Sequence, residues 1–315
     1  MRVVQVHETG GPDVLRLAEA DRPRPEGAEV LIEVELAGVM WADVIIRSGR
    51  HPWDLPYVAG MEVGGRVVEA GPDADGTLLG QRVVATTVGN RGGYAEFARS
   101  TYAIPVPSGL SLAHAVAVFD AGQMALDMLD AMAVTERDTV LITAAAGRVG
   151  SLLVQLAKAT GTFVIGAAGG PEKLAVAAEL GADVVVDYHE PDWAAAVKAA
   201  TDGRGADVTL DAIGGELGGQ ALDATAGRFG MYGFTSGSWT PTENATQEIV
   251  RPLQTVFARP QAAQRASAER VLRAAAEGRL VPRIAGRYPL AEAASAHTAL
   301  EKRTTIGTIL LDPAL

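Results

Sequence analysis

Short apolar runs alternate with longer segments of helical character through the middle of the chain. The runs are rich in Val, Ile and Leu, which is typical of parallel strands with both faces buried. Strands that alternate with helices predict an α/β unit built on a doubly wound parallel sheet. The expected strands cover residues 140–143, 162–167, 183–187, 207–212 and 229–234, and the expected helices cover 148–161, 171–180 and 216–226.

The first of these strands runs into a loop of small residues with the spacing AxxGxxG, at Ala144, Gly147 and Gly150. Small residues let the backbone approach a ligand closely, and the N-terminus of the following helix favours an anion such as pyrophosphate. The loop therefore predicts a dinucleotide site, with bare peptide amides between Ala144 and Gly150. Small residues also occur at such corners for packing alone, so the spacing leaves both interpretations open.

The region before residue 110 follows a different pattern. Ile32, Val34 and Leu36 alternate with Glu33 and Glu35, which predicts a strand with one buried face. Turns rich in Gly and Pro separate further strands expected at 65–70, 82–86, 94–98 and 103–106. This region is expected to form a β-rich partial barrel.

The remaining segments complete the expected organisation. Helices are expected at about 112–132 and 262–278, whereas the proline-bearing segment 236–262 shows no clean sixth strand. The tail shows a helix that ends near Lys302 and a strand at 307–311, which we expect to return to the N-terminal region. The predicted domains are residues 1–113 completed by 284–315, and a dinucleotide-binding domain over 114–283.

Composition excludes several classes of function. The formal net charge is −11 and no basic run occurs, so nucleic acid is not an expected partner. The chain has no cysteine, which excludes disulfides, thiol catalysis and cysteine-ligated zinc. The five histidines are scattered without i, i+4 spacing, so no metal site is expected. The strand-like start without a signal peptide, and the lack of a membrane-length apolar run, predict a cytoplasmic protein.

Several motifs in order resemble the zinc-independent quinone oxidoreductase (zeta-crystallin-like) branch of the medium-chain dehydrogenase/reductase superfamily. This resemblance implies a GroES-like β-rich N-terminal domain followed by a doubly wound Rossmann domain that binds a dinucleotide, and commonly a homodimer built through the last strand of the dinucleotide sheet. Besides the AxxGxxG loop, the matching segments are 37–43 (AGVMWAD), 46–49 (IRSG), 59–65 (AGMEVGG), 92–97 (GGYAEF) and 306–311 (IGTILL).

The resemblance also shows where this chain departs from its relatives. Zinc-dependent members carry Cys at the place of Met40 and His at the place of Met61, and a thioether is a poor zinc ligand. No metal is therefore expected. Quinone reductases usually have Asn at Met40, Tyr near Ile45 and Thr near Met124, so the pocket here is unusually apolar. The candidate pocket residues are Met40, Trp41, Asp43, Ile45, Met61 and Met124.

No catalytic residue is identified from the sequence. His51 and Tyr94 are the only titrating donors near the expected pocket, and each is also readily interpreted as structural. Asp43 is interpreted as structural as well, holding either Arg47 or a local turn. A quinol or enolate needs no strong acid, so solvent is the default proton source.

NADPH is the expected coenzyme. NAD-preferring folds carry an acid at the end of the second strand, about 20 residues past the glycine loop, and residues 165–170 contain none. By resemblance, Lys173, Tyr188 and Arg303 match the residues that hold the 2′-phosphate in this family. The role of Arg148, which replaces a usual Gly, stays open. The candidate coenzyme-binding residues are Ala145, Ala146, Gly147, Arg148, Val149, Gly150, Gly166, Lys173, Tyr188, Phe234, Thr235 and Arg303.

The implied activity is hydride transfer from NADPH to a small apolar, electron-poor substrate, either a quinone or a conjugated enone. One alternative is an enoyl-thioester reductase of the same superfamily. Another, from a different class, is an NADPH-binding sensor or structural protein with little turnover. The apolar residues Met40, Ile45 and Met124 favour that last interpretation.

Overall fold

A computed structural model describes residues 1–315. The chain forms two compact units, which we call the terminal unit (Met1–Asp120 with Leu272–Leu315) and the central unit (Ala121–Val271). The sequence-based borders at 113 and 284 differ from these junctions. Both junctions fall inside continuous helices, so no loop or change of composition marks them.

Helices and strands alternate along most of the chain. The helices are α1 (Trp41–Arg47), α2 (Leu112–Ala131), α3 (Gly150–Ala159), α4 (Pro171–Glu179), α5 (Trp193–Ala199), α6 (Gly215–Asp223), α7 (Pro252–Ala258), α8 (Gln261–Ala276) and α9 (Ala293–Glu301). The strands are β1 (Arg2–Val6), β2 (Arg16–Glu19), β3 (Val30–Val39), β4 (Tyr57–Val58), β5 (Glu62–Ala70), β6 (Arg82–Thr86), β7 (Phe97–Ser100), β8 (Tyr102–Pro105), β9 (Thr139–Thr143), β10 (Phe163–Ala168), β11 (Val184–Asp187), β12 (Ala206–Asp211), β13 (Thr225–Met231), β14 (Glu248–Val250), β15 (Ile284–Pro289) and β16 (Thr308–Asp312).

The central unit is built on a six-stranded parallel sheet in the order β11-β10-β9-β12-β13-β14. Every residue of β9 is buried, as expected for a strand covered on both faces. The predicted doubly wound α/β fold is therefore confirmed. The segment 236–262, in which the sequence shows no clean strand, contains the sixth strand of the sheet, because β14 pairs with β13 along its edge. At three residues, β14 is too short to show an alternating pattern.

The terminal unit contains a seven-stranded sheet and a three-stranded sheet. In β3, Ile32, Val34 and Leu36 are buried while Glu33 is exposed, which confirms the alternation. The tail returns to this unit as predicted, because β16 pairs antiparallel with β3.

The sequence does not predict α1, α5, α7, β2, β4 or β15. The strand expected at 94–98 begins only at Phe97, because Tyr94 and Ala95 pair instead with Ala59 and Val3. None of the helices combines the length and apolar character that a membrane crossing requires.

Candidate functional site

The small-residue loop turns sharply between β9 and α3. Ala144 has a φ of 51°, in the left-handed region. The Gly147 amide donates to the Ala144 carbonyl over 2.8 Å, and the Ala145 amide donates to Ala167 over 3.0 Å. These two amides are satisfied within the protein, so the expected row of bare amides is incomplete. Gly147, Arg148 and Val149 are half-buried and remain accessible at the start of α3.

Glycine is required at this corner by close packing as well. A Cβ added to Gly150 would lie 2.1 Å from the Ala144 carbonyl oxygen. Gly166 on β10 is similarly confined, since its Cβ would lie 3.2–3.3 Å from three alanine methyl groups. Close packing therefore accounts for glycine at positions 150 and 166, and binding of a dinucleotide at this loop stays a prediction.

Asp211, at the end of β12, braces the same edge of the sheet and was missed by sequence reasoning. Its carboxylate is fully buried and accepts hydrogen bonds from the Thr143 hydroxyl at 2.8 Å and the Thr240 hydroxyl at 2.8 Å. It also accepts from the amides of Ile213 and Gly214, each at 3.0 Å. One side chain thus fixes the ends of β9 and β12 and the loop that carries Thr240.

Phe234 and Thr235 lie on that loop after β13. The Thr235 amide donates to the Ala212 carbonyl over 3.1 Å, which fixes the loop to the end of β12. The ring of Phe234 lies 4.7 Å from the ring of Trp239, and the guanidinium of Arg251 lies 5.3 Å from the same indole. This partly exposed aromatic pair was not anticipated.

The remaining coenzyme candidates are divided between the two units. Lys173 lies in the first turn of α4 and is half-buried. Tyr188 follows β11, with its ring edge-on to the ring of His189 at 5.2 Å. Arg303 follows α9 in the terminal unit and is exposed, with a φ of 55°.

A small, partly open pocket lies in the terminal unit beside α1. Of the predicted pocket residues, the structure brings Asp43 and Met61 together in its wall. Trp41 and Ile45 lie on α1 and Met40 caps it, but none of these three lines this pocket. Met124 lies on α2 in the central unit. The other lining residues are Ile46, Trp53, Tyr57, Ala59, Gly60 and Asn90.

Asp43 ties α1 to the core of the terminal unit. Its Oδ2 accepts the Met40 amide at 2.9 Å, which caps α1, and the Tyr94 hydroxyl at 3.0 Å. Arg47 is held instead by the Gly10 carbonyl and by Glu301 at 2.5 Å. The contact with the Met40 amide agrees with the turn-holding role expected for Asp43, and a role in holding Arg47 stays a prediction. Burial raises the pKa of Tyr57 to about 12, with the Asp43 carboxylate adding to the effect.

His297 completes this buried polar cluster and was not anticipated. Its Nε2 lies 3.1 Å from the Tyr94 hydroxyl, and its Nδ1 has no hydrogen-bond partner. Because the Tyr94 proton is donated to Asp43, His297 donates from Nε2 and its Nδ1 is bare. Burial lowers the pKa of His297 to about 3, and the nearby positive charge of Arg47 acts in the same direction. His51, by contrast, is exposed.

The structure contains no cluster of side chains arranged to bind a metal ion. No group of three His, Asp or Glu side chains lies close enough together to hold a metal ion.

Comparison with known proteins places the chain in a family. An alcohol dehydrogenase GroES-like domain model matches residues 26–109, and a zinc-binding dehydrogenase model matches 180–311. A quinone oxidoreductase of Pseudomonas aeruginosa is 30% identical over 98% of this chain and 99% of its own length. A 2-haloacrylate reductase of Burkholderia is 31% identical over 98% of both chains. The quinone oxidoreductase of Escherichia coli, solved with NADPH, is 28% identical, with a TM-score of 0.93 over 99% of this chain and 100% of its own. This chain therefore belongs to the quinone oxidoreductase branch of the medium-chain dehydrogenase/reductase superfamily.

Proposed function

We propose that the protein is an NADPH-dependent oxidoreductase that transfers hydride to a quinone or a conjugated enone without zinc. The observation that carries the proposal is the glycine corner at the carboxyl edge of the central sheet. Strands β9 and β12 are neighbours in the sheet order β11-β10-β9-β12, so the strand order reverses between them. Doubly wound folds bind dinucleotides at this switch point, and here Asp211 keeps it rigid.

The residues at this edge fit a dinucleotide. Gly147, Arg148 and Val149 are accessible at the start of α3, and the first turn of α3 carries no acidic residue to repel a diphosphate. Lys173 supplies a cation, and Tyr188 a hydroxyl, for a 2′-phosphate. Arg303 is included by family resemblance. The E. coli relative solved with NADPH supports this choice of coenzyme.

The acceptor must already be electron-poor. Bound NADPH supplies the hydride, and no Lewis acid is needed if the acceptor is itself electrophilic. Met40 and Met61 stand where zinc-dependent relatives carry ligands, and Met61 contributes an apolar wall to the pocket. A quinone or conjugated enone accepts hydride without metal activation, whereas a plain ketone needs its carbonyl polarised. The 2-haloacrylate reductase relative, whose name describes a conjugated substrate, supports the same class.

Proton delivery is assigned to solvent. The Tyr94 hydroxyl is buried and already bonded to Asp43 and to His297. His297 has no exposed surface and stays neutral near neutral pH, and the N–H of a neutral imidazole is too weak an acid to protonate the product. Negative charge that develops on the acceptor oxygen must be met by backbone amides, ribose hydroxyls or water.

We also propose a homodimer joined at the edge of the central sheet. Strand β14 pairs only with β13 and leaves its other edge open, and Phe257 on the adjacent helix α7 is 67% exposed. Phe257→Asp is expected to convert dimer to monomer in analytical ultracentrifugation. Leu79→Asp, at a 56% exposed residue of the terminal unit, is the matched control and should leave the dimer intact. A wild-type monomer would refute the proposed dimer.

Steady-state oxidation of NADPH tests the activity. Turnover with 1,4-benzoquinone or an aliphatic enone, unaffected by dialysis against a chelator, is the expected result. Faster turnover of crotonyl-CoA would favour an enoyl-thioester reductase instead. Tight NADPH binding without turnover of any acceptor would favour the sensor interpretation, which the apolar Met40, Ile45 and Met124 support.

A further inference from the structure

A carboxylate reaches the turn after β10 from the neighbouring strand. Strand β11 pairs in register with β10, so that Asp187 lies opposite Ala168. Asp187 Oδ2 accepts the amide of Gly170 at 3.0 Å, and its Oδ1 accepts the amide of His189 at 2.9 Å. The side chain of Asp187 therefore lies against the Gly169–Gly170 turn rather than pointing along its own strand.

The Gly169–Gly170 turn lies where doubly wound folds hold the adenosine ribose of a dinucleotide. In doubly wound folds, the residue about 20 positions past the glycine loop, at the end of the second strand, lies beside the adenosine ribose. An acid there accepts a hydrogen bond from the 2′-hydroxyl of NADH and repels the 2′-phosphate of NADPH. Ala168, Gly169 and Gly170 carry no acid themselves, but Asp187 brings one to the same turn from the side.

Side chains that can attract a phosphate lie at or near the same turn. A Cβ on Gly169 would lie 2.5 Å from Cε1 of His189 and 2.8 Å from Cε2 of Tyr188, so both rings pack directly over this glycine. His189 Nδ1 lies 3.5 Å from Asp187 Oδ1. Lys173 lies three residues after Gly170, in the first turn of α4. Asp187, the ring of Tyr188 and the ring of His189 thus meet at this turn, and Lys173 is on the helix that follows it.

We propose that Asp187 is the residue that limits how strongly the protein prefers NADPH over NADH. Its carboxylate accepts the ribose 2′-hydroxyl of NADH and opposes the charge of the 2′-phosphate, which Lys173 and Tyr188 attract. The inference rests on the proposed coenzyme site. The acid that distinguishes NADH from NADPH, which usually ends the second strand, is here supplied by Asp187 on the neighbouring strand β11.

The test is the ratio of the dissociation constants of NADH and NADPH, measured by calorimetry on the full chain. Asp187→Asn retains a carbonyl acceptor but removes the charge. It is expected to raise the ratio in favour of NADPH by roughly five- to tenfold, the effect of one charge on a phosphate a few Å away. Asp183→Asn is the matched control, because Asp183 directly precedes β11, at the end far from Asp187, and binds Lys158. It should leave the ratio unchanged.

Two outcomes overturn the inference. Equal weakening of both coenzymes by Asp187→Asn would show that Asp187 only shapes the turn, and an unchanged ratio would show no effect on selection. If Asp187→Asn fails to fold, as judged by its melting temperature, Asp187→Ser and competition between 2′-phospho-AMP and AMP on that variant give the same ratio. Failure of the wild-type protein to bind either coenzyme would instead refute the proposed function itself.

Discussion

The buried imidazole of His297 makes the stability of the terminal unit depend on pH. His297 has no exposed surface, and its pKa falls from the ordinary value of 6.5 to about 3. Between these two values the unfolded chain binds a proton that the folded chain does not. Stability therefore rises with pH in this window and is lost as the pH falls through 6.5 toward 3.

The magnitude follows from the two pKa values. At pH 7 both states are mostly neutral at this site, and the linkage costs only a few tenths of a kcal/mol. At pH 5 the unfolded imidazole is almost fully protonated while the folded one is neutral. We therefore expect His297 alone to reduce the free energy of unfolding by about 2 kcal/mol between pH 7 and pH 5.

The assay is urea unfolding of the wild type and of His297→Gln at both pH values, with hydrogen exchange of β3 as the local probe of the terminal unit. Glutamine keeps an amide that can donate to Tyr94 but cannot titrate. The variant is expected to lose stability at pH 7 and to lose about 2 kcal/mol of the pH dependence. His114→Gln, at an exposed position on α2, is the control. If His297→Gln retains the full pH dependence of the wild type, the linkage argument is refuted.

Three further variants test the coenzyme edge. Lys173→Ala should weaken NADPH binding by about 1–3 kcal/mol, the scale of a charge-assisted hydrogen bond, and leave NADH nearly unchanged; equal losses by calorimetry would contradict the phosphate role. Gly150→Ala should lower the melting temperature and abolish coenzyme binding because its Cβ meets the Ala144 carbonyl at 2.1 Å, whereas Gly76→Ala, which has open space, should do neither. Asp211→Ala should lower the free energy of unfolding by at least about 3 kcal/mol, because it leaves four buried donors without an acceptor. A smaller decrease, measured by urea unfolding, would show that water replaces the carboxylate.

Local patterns were sufficient for the parts of the fold that repeat. The alternation in β3 and the buried runs of the central sheet follow from residues close together in sequence, and so did the doubly wound assignment. The short edge strand β14 was missed because its pairing with β13, not its own three residues, makes it a strand. Helix α1 is hard to predict because its N-cap residue, Met40, is not one of the residue types that signal the start of a helix.

The candidate site was less accessible to sequence reasoning where distant residues meet. The small-residue loop is visible in the sequence, but the hydrogen bond from the Ala145 amide to the Ala167 carbonyl is not. Tyr94 and His297 are separated by 203 positions and meet in the core. The sequence shows that β10 carries no acid, but it does not show that Asp187 reaches the same turn through the register of β11.

The return of β16 to β3 has a consequence for how the chain folds during its synthesis. All six strands of the central sheet come from one uninterrupted stretch, so that unit can assemble while the ribosome is still translating the C-terminal residues. The edge of β3 at residues 37–39 must wait for residues 308–312, which are synthesised after every other strand of the terminal unit. Until then its Val39 edge is unpaired, and a nascent chain stalled before residue 308 should depend on chaperones to keep that edge from aggregating.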